Sequence, residues 1–146
     1  TGSVSTVVRD PTHPGQRLTL HAPETPEIYF TDYGTGRLRD GRAHVELDPR
    51  FAGNVQIDAK HPLRVFVQLE GDVESRGLVV TNKTATGFDV VELDRGGSNA
   101  VFQWQATANR ADEVLPGGRV SRNADARFEP AAAPLPTVPT PLRGRR

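Results

Sequence analysis

The segment from residue 100 to residue 108 constrains the fold more than any other part of the chain. Apolar residues occupy every second position: Ala100, Phe102, Trp104, Ala106 and Ala108. The positions between them are mostly polar. Successive residues of a strand point to opposite faces, so this period of two predicts a strand with one buried face. We therefore expect Trp104, the only tryptophan, to pack in the core.

Shorter stretches of the same kind recur along the chain, at residues 17–22, 27–33, 42–47, 63–69, 77–82 and 88–93. In the second of them, Ile28 and Phe30 are expected on one face and Tyr29, Thr31 and Tyr33 on the other. The stretch 17–22 has the pattern of a half-buried strand. Short strands at this spacing, separated by turn residues, predict an all-β fold: an antiparallel β-sandwich or barrel, or a small β-prism.

Three turn signals lie between residues 34 and 53. Asp40-Gly41 predicts a tight primed turn, which needs positive φ at both central residues. Asp48-Pro49, with Gly53 four residues later, predicts one short helical turn capped by Asp48. Gly34-Thr35-Gly36 predicts a further turn of the chain.

Composition varies along the 146 residues and suggests three regions. An N-terminal arm and first strand span 1–22, a β-rich core domain spans 23–112, and an extended Pro- and Arg-rich tail spans 113–146. The chain begins at Thr1 and contains no methionine, so we expect a processed, trimmed or partial chain.

Overall composition argues against several classes of function. Lys plus Arg equal Asp plus Glu at 18 each, so the basic surface of a nucleic-acid-binding protein is not expected. The sequence has no apolar run of the roughly 20 residues that span a bilayer, so no membrane insertion is expected. The absence of cysteine excludes disulfides and thiolate metal sites.

Four stretches together resemble a known family. They are Gly34-Thr-Gly-Arg-Leu-Arg-Asp-Gly-Arg-Ala-His-Val-Glu-Leu-Asp-Pro-Arg-Phe-Ala, Val65-Phe-Val with Gly71-Asp72, Gly77-Leu-Val-Val-Thr-Asn-Lys-Thr-Ala-Thr-Gly-Phe-Asp-Val-Val-Glu-Leu, and Gly97-Ser-Asn-Ala-Val-Phe-Gln-Trp-Gln-Ala with Arg110. Over roughly residues 21–112 the chain resembles a β domain found near the C-termini of bacterial surface proteins and phage tail-fibre-like proteins. The resemblance implies a non-enzymatic, trimeric fibre or surface module. The long Pro- and Arg-rich ends depart from that family and fit a short subunit that clamps onto an assembly.

Several polar groups could form sites, and each has a simpler explanation. His44, Glu46 and Asp48 could bind a metal or act in acid–base chemistry, but such a trio is more often the solvated face of a strand. The loop Arg95–Asn99 could hold a phosphate, but it leads into a strand and lacks the Lys-Ser/Thr ending, so we interpret it as a wide hairpin turn between two core strands. Asp10 with His13, and Lys60 with His61, are interpreted as turn residues. We predict no catalytic residue, no cofactor and no metal site.

Aromatic residues and the tail supply the binding candidates. Tyr29 and Tyr33 are candidates for a glycan or subunit contact, whereas Trp104 is interpreted as core. The assembly tail is predicted to act through Pro134, Pro136, Pro139, Pro141, Arg143, Arg145 and Arg146.

The leading hypothesis is a non-enzymatic structural subunit of a virion, tail-fibre-like structure or surface filament. It would form a homo-oligomer, a trimer, through its β domain and strap neighbouring subunits with its terminal arms. The alternative is a carbohydrate-binding or host-surface adhesion module. Either function places the protein in a virion or at an extracellular surface.

Overall fold

A computed structural model of the chain describes residues 5–71 and 75–130. Its elements in chain order are β1 (Ser5–Arg9), β2 (Arg17–His21), β3 (Tyr29–Arg37), β4 (Arg42–Glu46), α1 (Pro49–Ala52), β5 (Val55–Gln56), β6 (Arg64–Glu70), β7 (Leu78–Thr81), β8 (Gly87–Glu92), β9 (Val101–Arg110), β10 (Glu113–Val114) and β11 (Val120–Ser121). A 3₁₀ turn, Leu93–Arg95, follows β8. In these ranges no helix has the length and apolar character needed to cross a membrane. The predicted all-β fold with one short helical turn is confirmed.

Two antiparallel sheets form the centre of the fold. In the first, β9 pairs with β3 on one side and with β6 and β5 on the other. In the second, β8 lies between β4 and β7. The predicted alternation of 100–108 lies in β9, the longest strand of the described chain, and β9 has neighbours along both edges.

The core lies between the inward faces of these sheets. Its buried members are Leu38, Val45, Leu47, Val55, Leu63, Phe88, Val90, Ala100, Phe102, Ala106 and Ala108. Trp104 is half-buried and packs against this cluster, as predicted for the core face of β9. Its ring meets Phe88 edge to face, with centroids 5.8 Å apart and planes at 78°, an arrangement that aromatic pairs favour.

Two of the turn predictions are confirmed. Asp40 and Gly41 have φ of 48° and 75°, as a tight primed turn requires. Asp48 caps α1 by accepting a hydrogen bond from the Arg50 backbone N–H at 2.8 Å, and Pro49 occupies the first helical position.

The prediction of a turn at Gly34-Thr35-Gly36 is wrong. All three residues lie within β3, where Gly34 pairs with Trp104 and Gly36 with Phe102. The glycines are needed because the rings of β9 fold over them: a Cβ on Gly34 would stand 2.4 Å from the Trp104 ring. Glycine occurs at these positions because it has no side chain and leaves room for the rings, not because the chain changes direction there.

The loop after β8 is also not the predicted hairpin. β8 and β9 lie in different sheets and do not pair, so residues 93–100 carry the chain from one sheet to the other. A hairpin would have kept both strands in one sheet, and the order of strands could not be read from the local sequence.

Burial differs from prediction at both ends. β2 is a strand, but it lacks the buried face that was predicted: all five of its residues are exposed, including Leu18 at 43% and Leu20 at 53%. At the other end, 113–130 is not simply extended, because β10 and β11 form a small hairpin. Asn123 and Ala124 after it are buried. The division of the chain at residue 112 stays a prediction.

Candidate functional site

The first sheet turns aromatic, amide and hydroxyl groups away from the core. We call this side the outer face. β3 contributes its odd-numbered residues from Tyr29 to Arg37, β9 its odd-numbered residues from Val101 to Asn109, and β6 its even-numbered residues from Arg64 to Glu70. Directly opposed residues on antiparallel strands share a face, so these side chains form rows across three strands.

The central row of the outer face carries two exposed aromatic rings. Tyr33 of β3 and Phe66 of β6 both pair with Gln105 of β9 and so flank it. Tyr33 is 68% and Phe66 65% exposed. In the next row, Thr35 Oγ1 donates to Gln103 Oε1 at 2.8 Å. Two open rings beside amide and hydroxyl groups can bind a sugar or another protein surface.

Tyr29 lies at the far end of this face and is held in place. Its hydroxyl donates to Glu27 Oε2 at 2.6 Å, and the Arg64 guanidinium lies 5.0 Å from the centre of its ring. Asn109 Nδ2 donates to the same Glu27 oxygen at 2.9 Å. These bonds, that from Tyr29 foremost, together with Arg127, lower the pKa of Glu27 to about 2. Of the two predicted tyrosines, Tyr33 therefore presents an open ring, whereas Tyr29 forms part of an anchor.

The same end of the outer face is covered by residues 123–127. Asn109 Nδ2 also donates to the Ala124 carbonyl at 3.2 Å, and Arg127 pairs with Glu27. His61 is buried, with Nδ1 3.0 Å from an Asp58 oxygen and Nε2 2.9 Å from an Asp125 oxygen. Burial opposes protonation of His61, but hydrogen bonds to the two carboxylates outweigh it and raise its pKa. Polar contacts thus fasten a segment that has almost no apolar pattern.

The trio His44, Glu46 and Asp48 does not converge. His44 Nδ1 lies 2.6 Å from an Asp89 oxygen, whereas the Asp48 carboxylate caps α1 and pairs with Arg50. Across residues 5–71 and 75–130, no three His, Asp or Glu side chains come together as a metal site.

The glycine loop, Arg95–Asn99, closes around a carboxylate of the protein itself, that of Glu92. The buried Glu92 carboxylate accepts the Ser98 backbone N–H at 2.8 Å. A Cβ on Gly96 would stand 2.3 Å from the Glu92 carboxyl carbon, so the loop closes tightly around it. The Glu92 carboxylate therefore already occupies the side of the loop that Gly96 and Ser98 form.

The N-terminal arm, which we define as residues 5–21, is a two-stranded hairpin. β1 and β2 pair over five positions, and neither strand packs extensively on another element of the described chain. Leu18 pairs with Val8 and Leu20 with Thr6, so one face of the hairpin is largely apolar. On the opposite face, Val7 is 52% exposed.

Sequence reasoning missed Phe66 and interpreted His61 only as a turn residue, without its contact to Asp125. The alternation that turns Val65 and Val67 inward also turns Phe66 outward, so the exposure of this aromatic ring could have been predicted from the sequence. The contact of His61 could not have been predicted in this way, because its partner Asp125 is 64 residues away. The tail residues Pro134, Pro136, Pro139, Pro141, Arg143, Arg145 and Arg146 lie outside the described residues.

Comparison with known proteins identifies no relative: no family model matches the chain, and no curated protein or solved structure does so.

Proposed function

We propose that this protein is a non-enzymatic structural subunit that assembles with further copies of itself, as a trimer, and with neighbouring subunits of a virion, tail-fibre-like structure or surface filament. The N-terminal arm carries this proposal. In an assembly, the arm of one copy lies on the next copy and buries its apolar face there.

The energetics of the arm support this role. A two-stranded hairpin alone is at best marginally stable in water. Leu18 and Leu20 retain about half of their surface in solvent. Full burial of such a side chain is worth about 1.5–3 kcal/mol relative to exposure, so completing the burial of both would contribute about 1.5–3 kcal/mol. In an assembly of repeated subunits, a neighbouring copy is always present to bury these side chains.

The β domain offers a second contact of the same kind. β3 is a nine-residue strand at the edge of its sheet and pairs with β9 only, within the described residues. Edge strands carry backbone N–H and C=O groups with which another chain can pair. Assembly would thus combine side-chain burial at the arm with strand pairing at the domain.

Light scattering coupled to size exclusion tests the proposal. We expect the full chain to have a mass above that of a monomer, and the double variant Leu18→Ser/Leu20→Ser to shift toward monomer. Thr19→Ser, on the opposite face of the same strand, is the matched control and should leave the mass unchanged. A full chain that is monomeric at every concentration would refute assembly through the arm.

A second candidate function, carbohydrate binding, is favoured by the row of Tyr33, Gln105 and Phe66. A sugar ring can stack on the open rings of Tyr33 and Phe66, and its hydroxyl groups can form hydrogen bonds with the side-chain amide of Gln105. A glycan array followed by titration of any hit provides the test. We expect Tyr33→Ala and Phe66→Ala each to weaken binding, whereas Val79→Ala, an exposed apolar residue of the other sheet, should not. An empty array would exclude this candidate.

A further inference from the structure

Three arginine side chains line one open groove beside the turn from β3 to β4. The groove has a volume of about 400 Å³, and its charged or titratable lining groups are Arg37, Arg39, Arg42, His44 and Asp89. The whole chain has no net charge. The excess of guanidinium groups is therefore local to this groove and does not reflect a basic protein.

The turn itself brings two of these charges together. Arg39 and Arg42 are bridged partners: the Arg39 N–H donates to the Arg42 carbonyl at 2.7 Å, and the Arg42 N–H donates to the Arg39 carbonyl at 3.1 Å. Asp40 and Gly41 form the tight turn between them. Like charges on directly opposed residues destabilise a strand pair. The fold thus tolerates an unfavourable pair that a bound anion would relieve.

Within the described chain the three arginines have no carboxylate partner at ion-pair distance, although the pKa of Asp89 is lowered by the hydrogen bonds from His44 and Asn82 and, after them, by the charge of Arg42. None of the three guanidinium groups forms an ion pair with a carboxylate in residues 5–71 and 75–130. Asp89 is engaged by His44 and by Asn82 Nδ2, the latter at 2.7 Å.

Donor geometry also leaves the guanidinium groups available. Arg37 Nη1 donates to the Asn99 carbonyl at 3.0 Å, which uses one of its five N–H groups and holds the side chain at the groove. Arg39 and Arg42 are exposed and have no side-chain hydrogen bond within the described chain. A guanidinium is a planar fork that fits two oxygens of a tetrahedral oxyanion.

We propose that this groove binds an oxyanion of the sulfate or phosphate type, either as the free ion or as an ester carried on a larger molecule. Arg39 and Arg42 bind it from the two sides of the turn, and Arg37 closes the groove. The proposal depends neither on the arm nor on the row of Tyr33, Gln105 and Phe66.

Amide NMR titration of the full chain distinguishes the two sources. The probes are inorganic sulfate, inorganic phosphate and a sulfated disaccharide, each at constant ionic strength. We expect saturable shifts confined to residues 37–44 and 89–91. Saturation with the inorganic ions assigns the groove to a free oxyanion, and saturation with the disaccharide alone assigns it to an ester. Absence of saturable local shifts with all three probes would overturn the proposal.

Single variants test the residues. Arg39→Gln and Arg42→Gln should each weaken binding about tenfold or more, since each removes charge-assisted hydrogen bonds. Arg119→Gln, an exposed arginine on the β10–β11 turn, is the matched control and should bind like the unchanged protein. Equal losses in all three variants would show general charge attraction and refute a built site.

Thermal unfolding supplies a readout that does not depend on a binding signal. Removing one charge of the opposed pair should raise the Tm of Arg39→Gln in the absence of anion. Bound anion should raise the Tm of the unchanged protein by linkage, and that increment should shrink in Arg39→Gln but persist in Arg119→Gln. Identical increments in all three proteins would be the general effect of salt on burial and would count against the site.

Discussion

Gly36→Ala is expected to destabilise the protein, although a glycine-to-alanine change within a strand usually does the opposite. Gly36 has a negative φ, so alanine fits its backbone, and loss of unfolded-state entropy would by itself add about 0.4–1 kcal/mol of stability. In this structure a steric clash makes the effect of Gly36→Ala on stability unfavourable instead. An added Cβ would stand 2.2 Å from Phe102 Cζ and 2.6 and 2.7 Å from the two Cε atoms.

The magnitude follows from the position of Phe102. Carbon atoms in contact lie about 3.5–4.0 Å apart, so the ring would have to retreat by about 1.3 Å. Phe102 is 0% exposed and has no solvent into which it could move. Overpacking of this kind costs about 1–3 kcal/mol. After the entropic gain is subtracted, we expect a net loss of about 1.3 kcal/mol, the centre of a range of about 0–2.6 kcal/mol.

Urea denaturation followed by fluorescence of the single tryptophan measures this loss. Gly97→Ala is the matched control, because Gly97 has no positive φ and nothing lies within 4 Å of its added Cβ. It should be neutral or slightly stabilising. In Gly36→Ala/Phe102→Leu, the smaller side chain should recover about 1 kcal/mol relative to the sum of the single changes. A stabilising Gly36→Ala, or strict additivity, would refute the close contact.

Three further perturbations test the contacts around the sheet. Hydrogen bonds to Asp58 and Asp125 raise the pKa of His61, so the contribution of His61 to the free energy of unfolding should be complete below the ordinary histidine pKa and lost as pH rises through the raised value. The urea midpoint of His61→Gln, measured across about pH 6–8, should lack that decline. The pKa of Glu27 is lowered to about 2, so the stability that Glu27 contributes should be present above the ordinary glutamate pKa and lost as pH falls toward 2. Glu27→Gln should therefore lose less stability on acidification than the unchanged protein, as acid unfolding measures. Trp104→Ala should cost about 3 kcal/mol, the low end for core aromatic residues because the ring is half-buried, as measured by circular dichroism; a cost under about 1 kcal/mol would contradict its packing on Phe88.

The candidate sites were only partly readable from sequence. Tyr33 was predicted from its place on the polar side of a strand, and the same reasoning would have found Phe66. Their placement on either side of Gln105 required knowing that β9 separates β3 from β6. The pairing of Arg39 with Arg42 follows from the predicted Asp40-Gly41 turn, but the lack of carboxylate partners depends on where every other side chain lies.

The sequence by itself determined the strands β2–β4 and β6–β9, the inward face of β9, the capped turn at α1 and the tight turn before β4. Those features depend on contacts only a few residues apart, where side-chain alternation and backbone preference decide the outcome. Tertiary structure alone decided that Gly34 and Gly36 lie under aromatic rings, that the glycine loop crosses between sheets around Glu92, and that His61 holds Asp125. Each of these depends on which strands become neighbours, and neighbours are set by packing of the whole core rather than by the residues adjacent in the chain.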